Sequence, residues 1–201
     1  GAQAGHRVVL QDGREHIFSQ FGSGTLVPGV STHLTRFMLV EPMGMMREYE
    51  HLRELGFGDA FLRTTIEEEA PVVTPFHIAA NRLLELARGE QRYGSCGLGI
   101  GETVEDLFKL GKDTLLAGDL DQLSLLRRKL LLIRERKLLK VREVLREIPR
   151  SESYERNLQV LEDEDVLEWC EERYHEFARR ARIVTRDSLR LFSEERRVVF
   201  E

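Results

Sequence analysis

The sequence predicts an α/β fold with strands and short helices in the first half, a helical hairpin in the second half, and a sheet strand returning at the end. Three observations lead to this prediction. Short β-type runs separated by turn residues fill the chain to about residue 118, apolar residues then recur at helical spacing, and Val198-Val199-Phe200 is a short apolar run. We therefore expect an α/β part over 1–118, a helical subdomain over 119–192 and a returning strand over 193–201.

In the first part, the residue patterns predict a hairpin, further short strands and two helices. Asp12-Gly13 lies between two apolar runs, where a hairpin turn favours residues that accept positive φ. Glu41-Pro42 would open one helix, and Thr74 with Pro75 would begin a second that ends near Gly89. Strands are expected over residues 8–10, 16–19, 34–40, 64–67 and 71–74.

Four glycines in eight residues mark the segment from Gly94 to Gly101 as a loop, because glycine weakens the interior of any regular element. Such a loop lets backbone N–H groups approach a ligand, typically an anion. A plain surface loop explains the spacing equally well. It is not a Walker loop, since no lysine follows the last glycine.

In the second half, apolar periodicity predicts a long helix over 119–148 ended by Pro149, a polar link over 150–156, and a second helix over 162–182. Nine basic residues lie between Arg127 and Arg146 in the first helix. Glutamates interrupt them and no aromatic residues are interleaved for base stacking, so a solvated helix face is favoured over an RNA or phosphate patch.

Composition narrows the class of protein. With 30 basic and 35 acidic residues the net charge is −5, which argues against a protein that binds nucleic acid by bulk charge. No apolar run approaches the roughly 20 residues needed to cross a bilayer. The two cysteines, Cys96 and Cys170, are far apart and form no disulfide framework or metal pattern. These features favour a globular protein of the reducing cytoplasmic compartment.

Few single residues suggest chemistry. A charged loop explains Glu67-Glu68-Glu69 better than metal or acid–base work does, and five histidines lack the spacing of two ligands on one helix face: His16, His33, His51, His77 and His175. Cys96 has no base near it in sequence, so a small polar wall residue is favoured over a nucleophile. His6 precedes an apolar run, where it is either a residue without a role or a donor to a phosphate or developing oxyanion.

Several short motifs, in order along the whole chain, resemble adenylosuccinate synthetases. Gly1-Ala2-Gln3-Ala4-Gly5-His6 is similar to their Gly-x-Asn-Ala-Gly-His segment, and residues 93–101 resemble their Ile-Gly-Thr-Thr-Gly-Arg-Gly-Ile-Gly loop. Weaker similarities lie at Gly22-Ser23-Gly24-Thr25-Leu26, Pro75-Phe76-His77, Leu86-Ala87-Arg88-Gly89, Glu105-Asp106, Gly118-Asp119-Leu120 and Val199-Phe200-Glu201. The resemblance is strongest over residues 1–120.

This resemblance implies a homodimeric ligase that joins IMP to aspartate with GTP and Mg²⁺. GTP phosphorylates the purine 6-oxygen, and the aspartate amine then displaces the phosphate. The resemblance implies that His6 donates to the transferred phosphate and that the Gly5 carbonyl ligates Mg²⁺. Gln3 stands at the position of a nucleotide-contacting asparagine. Ser95 and Cys96 stand at the positions of two family threonines. The second threonine, at the position of Cys96, hydrogen-bonds the IMP phosphate in the family.

The sequence departs from the family pattern at the expected phosphate site. Cys96 offers a weak thiol donor in place of a hydroxyl, and Leu98 stands where the family has arginine. The family's interface arginine falls at Leu110 when counted forward from the glycine loop, and at Lys112 when counted back from Gly118-Asp119-Leu120. We favour Lys112 because a phosphate needs a cation. A related acceptor nucleotide remains open, as does the alternative of a non-catalytic nucleotide-binding or interaction module that kept the fold.

Much of the family's site would lie outside these residues. A loop with a catalytic aspartate and a phosphate-binding lysine would precede Gly1. The Gly-Ala-Gln-Gly motif, the guanine-binding segment and the aspartate-binding arginine loop would follow Glu201. We therefore expect an internal fragment that is inactive by itself.

Overall fold

The computed structural model describes residues 5–147, 150–187 and 197–201. The strands are β1 (His6–Val9), β2 (Glu15–Phe18), β3 (Val30–Leu34), β4 (Thr64–Glu67), β5 (Arg182–Val184) and β6 (Arg197–Phe200). The α-helices are α1 (Pro42–Glu54), α2 (Pro75–Ala87), α3 (Ile100–Leu110), α4 (Leu123–Arg142), α5 (Glu152–Glu162) and α6 (Glu164–Arg180). In these three ranges, no helix is long and apolar enough to span a membrane. The predicted α/β fold class is confirmed.

The strands form two sheets. β1 and β2 pair antiparallel with His6 opposite Phe18 and Val9 opposite Glu15, and Gly13 in the turn has φ +87°. This confirms the predicted hairpin. The second sheet has the order β5-β4-β3-β6, with every pair parallel.

The chain forms two compact units, each built from separate segments. The first comprises the described residues within Gly1–Val72, Leu116–Asp121 and Tyr174–Glu201, and it contains both sheets and α1. The second comprises those within Val73–Leu115 and Gln122–Arg173, and it contains α2 to α5. Each unit has its own buried apolar side chains, such as Leu34, Met45, Leu52, Ile66 and Phe177 in the first and Phe76, Leu83, Leu126, Leu130 and Ile133 in the second. The division of the chain at residues 118 and 192 stays a prediction.

Two predicted helix starts are confirmed, and both are local in origin. Glu41 precedes α1, and its carboxylate accepts a hydrogen bond from the Met43 N–H at 3.1 Å. At the start of α2, the Thr74 hydroxyl accepts from the His77 N–H at 3.3 Å, and proline occupies the first turn. Both arrangements satisfy N–H groups that the helix itself leaves without partners.

Two predicted strands are wrong in position. The strand expected over 34–40 lies earlier, at Val30–Leu34, and the chain then turns so that Met38 N–H donates to Thr35 O at 2.9 Å. Met38 and Val40 are buried all the same, so their apolar character reflects burial rather than extended structure. In 71–74, only the isolated bridges Val40↔Val72 and Pro71↔Leu116 form.

In the part of the helical half that the structure describes, there is one more α-helix than predicted. The first long helix, α4, is shorter than the predicted 119–148, and residues 148–149 lie outside the described ranges. The expected polar link instead contains the start of α5, where the Ser151 hydroxyl accepts from the Tyr154 N–H at 3.1 Å. The last strand, β6, is present but is not the buried strand predicted, because among the described strands it is at the edge of the sheet beside β3, and Phe200 is 56% exposed.

Candidate functional site

The glycine-rich segment forms a loop whose conformation requires glycine. Gly94, Gly97 and Gly99 have φ values of +71°, +65° and +73°, a region that other L-residues rarely adopt. At Gly99 a Cβ would also lie 2.8 Å from the Ile78 nitrogen and 2.9 Å from the His77 carbonyl carbon. The loop therefore lies directly against the first turn of α2.

Polar side chains of α2 hold this loop in place. Arg82 Nε donates to Gly97 O at 3.0 Å, and Asn81 Oδ1 accepts from the Gly99 N–H at 3.4 Å. Ser95 has two contacts with the same helix: its N–H donates to Glu85 Oε2 at 3.4 Å, and its hydroxyl lies 3.3 Å from Asn81 Nδ2. The loop ends at Gly99, which begins α3 without a capping side chain.

A cleft of about 340 Å³ opens beside the loop. It is lined by Arg82, Glu85, Leu86, Arg92, Gly94, Ser95, Cys96, Gly97 and Ser153. Its carboxylate, Glu85, is ion-paired with Arg88, whose guanidinium stacks 4.2 Å from the Tyr93 ring centre. Two further guanidinium groups, two hydroxyls and an exposed thiol share the same cleft, a composition that suits an anionic ligand.

Beneath the loop, a buried polar network joins α2, α3 and α4. His77 Nδ1 accepts from the Thr74 N–H at 3.0 Å, so Nε2 carries the proton and donates to Asp106 Oδ2 at 3.1 Å. Lys137 Nζ donates to Asp106 Oδ1 at 2.9 Å and to Glu102 O at 3.0 Å. We call His77, Glu102, Asp106 and Lys137 the α3 cluster.

Burial and hydrogen bonding set the charges in the α3 cluster. Burial lowers the pKa of His77, which keeps the ring neutral near pH 7. Burial opposes ionisation of Asp106, but hydrogen bonds from His77 and Lys137 outweigh it and lower the pKa of the carboxyl. At the surface of the same helix, hydrogen bonds from Lys109 and Lys140 overcome burial and lower the pKa of Glu105 to about 2.

Two expectations about charged runs are corrected by the structure. The basic run is not simply a solvated face, since Lys137 and Lys129 are buried and donate to acceptors in their own unit. In the acidic run, Glu67 is buried rather than part of a charged loop, because it accepts the Arg36 N–H at 2.9 Å. In both cases a charged residue points inward at a partner that is distant in sequence.

The predicted site residues lie in two places. Ser95 and Cys96 line the same cleft in the second unit. Lys112 is in that unit too, exposed on the short turn Gly111–Asp113 after α3, but it does not line the cleft. His6 and Gly5 are exposed at the start of β1 in the first unit.

Gln3 lies outside the described residues. Leu110, the other candidate for the interface cation, is half-buried at the last residue of α3. Within the described ranges, no group of three or more His, Cys, Asp and Glu residues is arranged to hold a metal ion.

Sequence reasoning missed the arginines of the cleft. Arg82 lies on the polar side of α2, opposite the apolar positions that define that helix, and Arg92 directly precedes the loop. A helical projection of α2 could have found Arg82, because Asn81, Arg82 and Glu85 share one polar side.

Comparison with known proteins identifies the family. The family model described as adenylosuccinate synthetase matches residues 1–201. The chain belongs to the adenylosuccinate synthetase family. Its relatives include the adenylosuccinate synthetase of Pseudomonas fluorescens strain Pf-5, 36% identical over 120 residues, and that of a Marinomonas species, 35% identical over 120 residues. Each match covers 60% of this chain and 27% of the relative.

Solved structures show the same fold. A structure described as fully ligated adenylosuccinate synthetase from Plasmodium falciparum superposes with a TM-score of 0.70 at 18% identity. The superposition covers 100% of this chain and 43% of that chain. This chain thus spans less than half the length of the adenylosuccinate synthetases that it matches.

Proposed function

We propose that this chain is part of a GTP-dependent ligase that joins aspartate to the purine 6-position of IMP or a related nucleotide. The observation that carries the proposal is the glycine loop, fixed by α2 so that Ser95 and Cys96 line a cleft with two arginines. Membership of the adenylosuccinate synthetase family supports the same assignment.

The proposed reaction has two steps. The γ-phosphoryl group of GTP passes to the 6-oxygen of the purine, and GDP leaves. The aspartate amine then attacks carbon 6, and the oxygen departs with its phosphate. Because charge builds on the transferred phosphoryl group, catalysis depends on positioned donors and cations.

In this scheme, residues at the start of β1 serve phosphoryl transfer. The exposed His6 imidazole donates a hydrogen bond to the transferred phosphoryl group. A backbone carbonyl such as that of Gly5 is the hard oxygen ligand that Mg²⁺ prefers, and Mg²⁺ in such sites takes most other ligands from phosphates and water. Gly5 is exposed, so its carbonyl oxygen could be the one ligand that this part of the chain gives to Mg²⁺. When bound, the ion would neutralise phosphate charge.

The remaining predicted residues would bind the acceptor nucleotide. The Ser95 hydroxyl and the Cys96 thiol donate toward its phosphate, and Gln3 contacts the nucleotide. Lys112, exposed after α3, supplies a cation to the phosphate held by the partner in a cytoplasmic homodimer.

Aspartate-dependent release of GDP and phosphate from GTP and IMP tests this function. We expect activity from the longest polypeptide that contains this sequence and none from the 201 residues alone. His6→Asn in the active form should lower kcat by about 100-fold or more, as loss of one preorganised donor does. His175→Asn is the matched control, because His175 is partly exposed and its Nε2 lies 3.5 Å from Asp121 Oδ1.

Two outcomes would contradict the assignment. Unchanged turnover in His6→Asn would remove the role of His6, and turnover by the 201 residues alone would contradict their inactivity. Nucleotide binding without turnover, both in the 201 residues alone and in the longest polypeptide, would favour a non-catalytic nucleotide-binding module. Cys96 and Leu98, which depart from the family's loop, favour that second candidate.

A further inference from the structure

The glycine loop carries no cation of its own. Residues 93–101 contain no lysine or arginine, and Leu98 occupies the position where the resemblance places an arginine. The dianionic phosphate of a nucleotide is normally held by charge-assisted hydrogen bonds, and these are roughly twice as strong as neutral ones. A phosphate bound at this loop therefore takes its cation from outside the loop, either from the partner's Lys112 in the proposed homodimer or from other residues of the same chain.

The cleft contains two arginines that can supply it. Arg82 Nε is used in its bond to Gly97 O at 3.0 Å, and Arg92 Nε in its bond to Gly89 O at 2.9 Å. A guanidinium group has five N–H donors, so each arginine keeps its two terminal amino groups for another acceptor. Both side chains line the cleft together with Ser95 and Cys96.

The charge balance in this cleft favours an anion. Glu85 is the carboxylate among the lining residues, and its ion pair with Arg88 compensates it. Arg82 and Arg92 then leave a surplus of positive charge on the wall next to the loop. The cleft, at about 340 Å³, lies within the usual size range of small-molecule sites.

We propose that Arg82 and Arg92 form a phosphate-monoester subsite with Ser95 and Cys96, replacing the arginine that the loop lacks at position 98. The subsite rests on the proposed function for the identity of its ligand, a purine nucleoside monophosphate. Arg82 both fixes the loop through Gly97 and contacts the phosphate, whereas Arg92, which is exposed and donates to Gly89 O of its own turn, has contact with the phosphate as its role.

The two cysteines provide a direct readout. Cys96 is exposed in the subsite, whereas Cys170 is buried and burial raises its pKa to about 12. Iodoacetamide reacts with thiolates, so at pH 7.5 it should alkylate Cys96 and leave Cys170 intact. The alkylation rate of Cys96 in the full chain, followed by mass spectrometry, then reports whether the subsite is occupied.

The experiment compares three ligands and three variants. IMP and ribose 5-phosphate should slow alkylation of Cys96, and inosine at the same concentration should not. In Arg92→Gln and Arg82→Gln the IMP concentration for half protection should rise about tenfold or more, as expected for the loss of a charge-assisted bond. Arg156→Gln, an exposed arginine on α5 outside the cleft, should leave it unchanged. Each variant is compared with its own rate without ligand.

The possible failures are distinct. Equal protection of the wild type and Arg92→Gln by IMP would overturn the subsite and leave the proposed function standing. Protection by none of the three ligands in the wild type would overturn the subsite as well. Arginine-dependent protection by ribose 5-phosphate that equals protection by IMP would support the subsite but contradict a purine acceptor. If Arg82→Gln does not fold, Arg92→Gln decides.

Discussion

Two clusters of buried polar side chains, one in each unit, differ in how completely they are hydrogen-bonded. In the α3 cluster of the second unit, the buried ammonium of Lys137 has three acceptors, and both Asp106 oxygens have donors. Such a complete network is costly to break, because removal of one partner leaves an uncompensated charge in a low-dielectric interior.

The cluster on the parallel sheet of the first unit is incomplete. We use the name sheet cluster for Thr32 and Thr64, which are paired on one face of the sheet, together with His33 and Glu67 on the other face. Each has a buried side-chain atom without a hydrogen-bond partner among the described residues: Thr32 Oγ1, His33 Nε2, Thr64 Oγ1 and Glu67 Oε1. His33 Nε2 is 4.0 Å from the Glu67 carboxylate, too far for a hydrogen bond. Buried atoms of this kind cost stability, so the two clusters should respond in opposite ways to the removal of polar groups.

Lys137→Met should produce the largest effect. It leaves the buried carboxylate of Asp106 without the ammonium that is hydrogen-bonded to it, while Glu102 keeps its bond to Lys140, so the free energy of unfolding should fall by about 3–5 kcal/mol. Urea denaturation with an unchanged m-value would measure it. Lys140→Met is the matched control, because Lys140 pairs with Glu102 and Glu105 but is 34% exposed. It should cost about 1 kcal/mol or less. Equal losses in both variants would mean that burial of the charge does not decide the cost.

The glycine loop provides the next largest effect, because Gly99 packs closely against the backbone of His77, a residue of the α3 cluster. Gly99→Ala combines a positive φ with a Cβ 2.9 Å from the His77 carbonyl carbon, and we expect a loss of about 2–5 kcal/mol. Gly94→Ala has a similar φ but open space around its Cβ, so it should cost only about 1–2 kcal/mol. Thermal or urea unfolding of both variants checks the difference. Similar losses would show that the close approach at Gly99 is not limiting.

The pH dependence of stability distinguishes the histidines of the two clusters. Burial lowers the pKa of both His77 and His33, so the unfolded chain binds more protons and stability falls as the pH drops below about 6.5. Each histidine that is neutral in the folded state adds up to about 1.4 kcal/mol per pH unit to the slope of the free energy of unfolding against pH. For His77, the hydrogen bond to Asp106 and the charges of Asp106 and Glu102 favour protonation, but the Lys137 charge opposes it and a proton on Nδ1 would break the bond from the Thr74 N–H at 3.0 Å. For His33, the Glu67 charge favours protonation, and Nε2 has no hydrogen-bond partner among the described residues that a proton would displace.

His77→Gln should therefore remove more of the slope between pH 7.5 and 5.5 than His33→Gln does. Urea unfolding at several pH values in this range measures the slopes. A larger reduction in His33→Gln would contradict the assigned difference between the clusters.

Features with local causes could be predicted from the sequence, and features set by distant partners could not. The hairpin at Asp12-Gly13 and the capped start of α2 at Thr74 follow from neighbouring residues, and the glycine loop follows from composition. By contrast, β3 is fixed by pairing with β4 and β6, whose paired residues lie 32 and 167 positions away in sequence, so the apolar run gave the wrong strand bounds. Burial of Lys137 likewise depends on carboxylates of α3, which a basic run does not reveal.

The smallest expected effect is in the sheet cluster, where removal of a polar group should not lower the stability. The buried Thr64 hydroxyl has no partner among the described residues, so Thr64→Val removes a desolvated polar atom and keeps a β-branched side chain. Stability should stay equal or rise by up to about 1 kcal/mol. Thr65→Val is the matched change at the next position, where the hydroxyl lies 2.8 Å from His33 Nδ1, and it should cost about 1–2 kcal/mol. Opposite signs in two adjacent threonines, measured by urea denaturation, would establish that hydrogen-bond completeness decides the outcome. A loss of stability in Thr64→Val as large as that in Thr65→Val would mean that the Thr64 hydroxyl has a partner, and the sheet cluster would then resemble the α3 cluster.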